Sequence, residues 1–321
     1  MRTLVLLLLF LAACGHDEPK AKLRIGLNPW PGYLDLAVAE HEGIFAAHGF
    51  DVHIVEYTSL HDMARAYQLG QIDFMPSTLV EVLEVNQGRR STEVIWVADA
   101  SDGADVALAK DAKSVADLRG KRIAYEPNSL GIFVLARMLD RAGLKVQDVD
   151  AIGMDQPEMV LAMKDSRIEA AITYPPASLS IRELPGIATV FSSAEIPDEV
   201  IDVFCVDPDI LDADPTFLNR FYAVMADTAE FARRNPKTAV AHKCRQMGIE
   251  PSAWDDAAKG VRYFELKDQH EWIWGSERIP TIHARLADVI RATCGPRRDP
   301  VRPIHAGHRH APELIAPATP R

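Results

Sequence analysis

The chain is 321 residues long, 48% hydrophobic and 25% charged, with a formal net charge of −11. These proportions exclude collagen-like, coiled-coil and wholly disordered classes, and the length suits about two domains. The acidic balance argues against a nucleic-acid binder with a general basic surface, and the one long apolar run, Leu4 to Ala13, is too short to span a bilayer.

The first residues have a signal-peptide layout. Met1-Arg2-Thr3 carries one positive charge, Leu4 to Leu11 is almost all leucine, and Ala12 and Ala13 precede Cys14. Leu11-Ala12-Ala13-Cys14 also resembles a bacterial lipobox. On that reading residues 1–13 are removed, Cys14 is acylated as the first mature residue, and residues 14–22 form a lipid tether. An ordinary secretory signal with a coincidental cysteine is the alternative. The other cysteines, Cys205, Cys244 and Cys294, allow at most one disulfide in an oxidising compartment, with Cys244–Cys294 a guess, and no Cys/His spacing suggests zinc.

From Leu23 onward short apolar strands alternate with helical patterns, the signature of α/β architecture. Leu23–Asn28 reads as a strand, Pro29-Trp30-Pro31-Gly32-Tyr33 as a stiff turn, and Leu34–His41 as a helix. Val52–Tyr57 is the next strand, and a helix capped near Ser59 runs to Gln68. Ile72–Met75 reads as a buried strand, and Thr78-Leu79-Val80-Glu81 fits a capping box opening a helix to Gln87. Val94–Ala98 is a further strand. A second series has a short capped helix over Ser114–Leu118, strands over Arg122–Glu126, Val149–Met154 and Ile168–Thr173, a helix stopped by Gly143, and a helix over Pro157–Asp165. Gln71-Ile72-Asp73 and Arg167-Ile168-Glu169 echo each other, which suggests two lobes of comparable build. Val200–Val206 is apolar and β-branched and is expected to carry the chain back between lobes. Four helices follow: Asp214 to Arg234, Asn235 to Met247, and two near Ser252–Lys259 and Thr281–Thr293. The end, Pro296 to Arg321, holds six prolines, five arginines and His305, His308 and His310. It is expected to be a disordered, solvated tail rather than a metal site.

In open α/β sheets, ligands bind beyond the carboxyl ends of the strands. The turns there offer Asn28, Trp30, Tyr33, Ser77 and Thr78 in the first series. The second offers Glu126, Asn128, Ser129, Leu130, Asp155, Gln156 and Tyr174, and the connecting segment adds Asp99, Ser101, Asp102 and Asp105. Aromatics come from both series, so their faces could sandwich a flat or cationic ligand. No lysine or arginine stands on these turns. The bland alternatives are core packing for Trp30 and Tyr33, a solvated turn for Asp102 and Asp105, and a loop plug for Tyr174.

These residues carry a resemblance. Arg24-Ile25-Gly26-Leu27-Asn28-Pro29-Trp30-Pro31-Gly32-Tyr33, then Glu42-Gly43-Ile44-Phe45 and Gly70-Gln71-Ile72-Asp73, resemble the start of the nitrate/sulfonate/taurine and thiamine-precursor (NMT1/THI5-like) substrate-binding proteins of ABC importers. Leu118 to Ala124 with Ser129-Leu130-Gly131, and Arg167 to Ala170 with Tyr174, are similar to its later signatures. The resemblance implies a two-lobed, type II periplasmic-binding-protein fold, each lobe a mixed sheet flanked by helices, that closes on a small solute and docks on a permease. It implies no cofactor and no covalent chemistry. The enzymatic fungal pyrimidine synthases of this group depend on a cysteine-rich motif, and this chain has no cysteine cluster.

The resulting expectation is a lipid-anchored, monomeric solute receptor in the periplasm or on the outer face of the cytoplasmic membrane. Lobe one takes residues 22–100 and 205–295, and lobe two takes 101–204. The cleft is lined by Asn28, Trp30, Tyr33, Ser77, Thr78, Glu126, Ser129, Leu130, Asp155 and Tyr174, with Asp102 at the hinge. Acid groups, aromatic faces and no base suit a cationic, zwitterionic or nitrogen-rich heteroaromatic solute. A small anion held by amides at the Thr78 and Ser129 helix starts is the competing view, and a sensory or adaptor protein on the same scaffold is another. An enzyme lacks support, because Ser129 has no nearby histidine in sequence and Gly-x-Ser-x-Gly is absent.

Overall fold

A computed structural model describes residues 22–88, 90–274, 277–294, 305–306 and 312. Cys14 with the leader, the tether to residue 21, and the tail other than 305–306 and 312 lie outside the described residues. The chain lays down β1 (Leu23–Leu27), β2 (Val52–Glu56), β3 (Phe74–Thr78) and β4 (Glu93–Ser101) in one sheet. It then builds a second sheet from β5 (Val106–Lys110), β6 (Arg122–Tyr125), β7 (Asp150–Gly153), β8 (Ala170–Thr173) and β9 (Ile187–Ser192). Strands β10 (Ile201–Val206), β11 (Val261–Tyr263) and β12 (His305–Ala306) return to the first.

The helices are α1 (Asp35–His41), α2 (Ile44–Ala47), α3 (Leu60–Gln68), α4 (Leu79–Asn86), α5 (Leu130–Arg141), α6 (Gln156–Lys164), α7 (Ala177–Arg182), α8 (Pro208–Ala213), α9 (Phe217–Arg234), α10 (Pro236–Met247), α11 (Trp254–Ala258) and α12 (Arg278–Cys294). None of the described helices is long and apolar enough to cross a membrane.

The two sheets share one plan. In the first, β1 pairs parallel with β2 and β3; in the second, β6 pairs parallel with β7 and β8. Each parallel trio is extended by an antiparallel strand, β10 beside β3 and β5 beside β8. The echoed sequence has a physical meaning in this plan. Asp73, just before β3, takes the guanidinium and backbone N–H of Arg24 on β1, and Glu169, just before β8, does the same for Arg122 on β6.

The chain crosses between sheets twice, at 102–105 and at 193–200. The return therefore lies upstream of the Val200–Val206 stretch expected to make it. All of β10 is paired between β3 and β4 and buried throughout, as its unbroken apolar, β-branched character demands of a central strand. The crossings run side by side: the Ser101 and Ser193 hydroxyls are 2.8 Å apart, and the Gly103 N–H donates to Ser193 Oγ at 2.7 Å. Gly260, in the left-handed region at φ 81°, lets its backbone press against the first crossing; a Cβ there would come within 2.7 Å of Ala104 N. Behind the lobes α12 packs on both α4 and α5.

Local signals explain several helix starts. Ser59 Oγ accepts from Asp62 N–H at 3.0 Å to cap α3, and Thr78 with Glu81 forms the capping box of α4. At Asp214 the expected helix is delayed: Asp214 holds a turn by accepting from Thr216 N–H, and α9 begins at Phe217. The guessed Cys244–Cys294 pairing is not formed: Cys244, like Cys205, is a buried free thiol. The tail is also not structureless throughout, because His305–Ala306 runs parallel to β4 at Glu93 and Val94.

Candidate functional site

Between the sheets, beyond the carboxyl ends of β1 and β8, lies a nearly filled cleft, with a cavity of about 10 Å³, lined by Asn28, Trp30, Tyr33, Leu60, Thr78, Asp105, Leu130, Tyr174 and Asp202. That is room for about one water, so a solute enters only if the side chains or the lobes part. Each residue is placed by its element. Asn28 follows β1, Trp30 and Tyr33 ride the Pro31–Tyr33 turn, and Leu60 opens α3. Thr78 caps α4, Leu130 opens α5, and Tyr174 follows β8. Asp105 ends the first crossing and Asp202 sits inside β10.

The two lobes meet here through specific contacts. Trp30 of the first lobe and Tyr174 of the second are edge to face with centroids 6.0 Å apart. Glu126 of the second lobe accepts from Tyr174 OH at 3.1 Å and from His61 N–H, at the start of α3 in the first lobe, at 3.2 Å. Reciprocally, Glu81 of the first lobe accepts from Ser129 Oγ at 2.6 Å and from Leu130 N–H at 2.7 Å in the second.

Carboxylates dominate the electrostatics. The Trp30 indole N–H lies 3.2 Å from both Asp99 oxygens, and Tyr33 OH donates to Asp202. Asp99 and Asp202 stand opposite each other on β4 and β10. Gly32 makes the approach of Asp99 possible, because a Cβ there would lie 1.7 Å from Asp99 Oδ2. Burial pushes Asp99, Asp105 and Glu126 each up to about 7. Burial, then the charge of Asp99, raises Asp202 further, so Asp202 is the protonated member of that pair. None of the residues lining the cavity is basic. Both polar atoms of the Asn28 side chain and Oδ2 of Asp105 are buried without a hydrogen-bond partner in the protein, an arrangement that is costly unless a ligand group meets them.

Six expected site residues therefore line one cavity: Asn28, Trp30, Tyr33, Thr78, Leu130 and Tyr174. Glu126 and Ser129 are buried beside it, engaged across the lobes. Ser77 is buried on β3, with its hydroxyl on Thr78 O at 3.3 Å. Two expectations are corrected. Asp102 stands at the crossing, where a hinge residue is expected, but its side chain is exposed rather than part of the cleft, and the nearby carboxylate that reaches the cavity is Asp105. Asp155 is exposed because its carboxylate is spent capping α6, accepting from Glu158 N–H at 2.8 Å, while Gln156 turns inward to Glu126. Leu60 and Asp202 were missed. An aspartate inside Ile201-Asp202-Val203 was the available signal, since a buried acid needs a reason. No group of three His, Cys, Asp or Glu able to hold a metal occurs among the described residues.

Comparison with known proteins agrees with this architecture. A binding protein of Brucella abortus is 26% identical over 236 residues, 70% of this chain and 70% of its own. The alkanesulfonate-binding protein SsuA from Xanthomonas axonopodis pv. citri, bound to MOPS, superposes with a TM-score of 0.73 at 18% identity, covering 88% of this chain and 97% of that one. The ligand-binding component of an ABC-type import system from Staphylococcus aureus, with zinc bound, gives 0.71 at 14% identity over 92% and 98%. The family described as NMT1/THI5 like matches residues 30–239, which take in both crossings and all but one of the cavity residues. The chain belongs to the NMT1/THI5-like family.

Proposed function

We propose that this protein is an extracytoplasmic solute-binding receptor that closes two lobes on a small cationic or zwitterionic nitrogenous solute and delivers it to the permease of an ABC importer. Family membership and the binding functions of the relatives support the receptor role, and the cleft requires no covalent chemistry. The solute class rests on one observation: Asp105, with an unpartnered oxygen, stands beside Asp202 in a cavity without a base. Buried carboxylates need a charged or donor partner to offset their desolvation, and Trp30 and Tyr174 supply aromatic faces for a cation or a flat nitrogen heterocycle. Asn28 adds a donor and an acceptor to orient it. Although SsuA binds alkanesulfonates, the same chemistry is opposed here by charge.

The test is a thermal-shift screen of the purified chain with amines, amidines, aminopyrimidines, amino acids, nitrate and alkanesulfonates. A solute at about 100 times its Kd adds roughly 2.7 kcal/mol of stability. Stabilisation by nitrogenous cations and none by anions is expected; the reverse contradicts the solute class. Anchoring through an acylated Cys14 belongs to the same proposal. Intact mass of protein from membranes should show cleavage before Cys14 plus lipid, and cleavage elsewhere without lipid contradicts it.

A further inference from the structure

We propose that Glu81 sets the charge specificity of the cleft: its carboxylate occupies the place between the α4 and α5 starts that a solute anion would take, and so closes the site to anions. This rests on reading the cleft as the solute site. A capping-box glutamate ordinarily needs only to reach back to its own N-cap. Glu81 does that, accepting from Thr78 N–H at 3.1 Å and from the Thr78 hydroxyl. Its other oxygen extends to the facing lobe, where it takes the Ser129 hydroxyl and the Leu130 N–H. One fully buried carboxylate thus collects four donors from two helix starts, one in each lobe.

Those donors are the groups that bind anions at helix N-termini. Thr78 and Leu130 both line the cavity, so an anionic solute would have to approach the same amides. It would compete there with a tethered carboxylate, whose effective concentration a free solute does not match. It would also lie against the Glu81 carboxyl itself and against Asp105, which carries its negative charge once ionised above about pH 7. A cation meets neither obstacle. The cleft is thus supplied with its own anion, and closure ties that anion to the second lobe.

The experiment compares the wild-type chain with Glu81→Ala and Glu81→Gln, with folding checked by circular dichroism. Formate, nitrate and methanesulfonate are titrated by calorimetry and thermal shift against chloride at equal ionic strength. In Glu81→Ala, which frees the four donors, formate is expected to raise Tm saturably, and nitrate or methanesulfonate to bind at least about tenfold tighter than to wild type. Glu81→Gln removes the charge and keeps the volume, and is expected to gain anion affinity to a smaller extent; it serves as the measurement if alanine prevents folding. A folded variant whose anion affinity stays within about twofold of wild type reduces Glu81 to a helix cap and overturns the proposal. Cation binding by wild type is measured alongside. Its absence, with the anion gain still present, contradicts the solute class and not the role of Glu81.

Discussion

Asp105, Asp202 and Trp30 carry the account at the scale of single residues. Replacing Trp30 with alanine removes the aromatic wall that faces Tyr174 and one donor to Asp99. Solute binding is expected to weaken by about 2 kcal/mol or more, as for other buried aromatic anchors, measured by calorimetry. The carboxylates also predict a pH dependence. Asp99, Asp105 and Glu126 keep their protons to about pH 7 in the folded chain, against roughly 4 when unfolded. Between those values the folded state binds more protons, so stability without solute falls as pH rises from about 4 to 7 and then levels. Cation affinity runs the other way, strengthening over that window as the carboxylates ionise. Thermal melts and calorimetry from about pH 5 to 8 check both trends, and Asp105→Asn should lower the affinity and flatten its pH dependence. A cation affinity independent of pH contradicts this assignment. At this scale the sequence is informative where residue type and turn coincide, as in Pro29-Trp30-Pro31-Gly32-Tyr33. It misleads at Asp102 and Asp155, because a turn aspartate can face solvent or cap a helix, and only tertiary packing decides.

At the scale of elements, the repeated arginine–acid clasp fixes the edge of each parallel trio. The two copies differ in environment. Asp73 is more buried than Glu169 and is shared by Arg24 and Arg90, whereas Glu169 faces Arg122 near the surface. Asp73→Ala is therefore expected to cost about 1.5–3 kcal/mol in denaturant melts, by loss of charged hydrogen bonds. Glu169→Ala should cost less, about 1 kcal/mol or below; equal losses would contradict the argument. Helices with explicit caps, α3 and α4, and strands with strong apolar runs, β1 and β6, were legible before folding. Strands β5 and β9 are not legible in the sequence. Val-Ala-Leu-Ala-Lys has helix-forming alanine and leucine and becomes a strand only between β8 and β9. Ile187–Ser192 is largely half-buried, so its apolar face is weakly marked.

At the scale of the whole molecule, each sheet receives its antiparallel strand from the chain just after a crossing, β5 after the first and β10 after the second. Lobe motion must therefore bend the short paired segments between the sheets without breaking either one. Such closure is a population shift driven by solute contacts to both lobes. Solution scattering is expected to show a smaller radius of gyration with solute than without, and the difference should shrink in Glu126→Ala, which loses the His61 and Tyr174 contacts. No change in radius on saturation would argue against a hinge. The two-lobed plan was readable from the alternation of strands and helices, but the position of the return crossing was not, because an apolar β-branched run describes a central strand as well as a connector.

Isothermal titration calorimetry at about pH 8, where the raised carboxylates are ionised, tests the central claim most directly, with the purified mature chain and matched small solutes that differ in charge. The account predicts saturable one-to-one binding of a nitrogenous cation or zwitterion, weakened at least about tenfold by Asp105→Asn, and no binding of nitrate or methanesulfonate. Tight binding of either anion, with every cation silent, would contradict it.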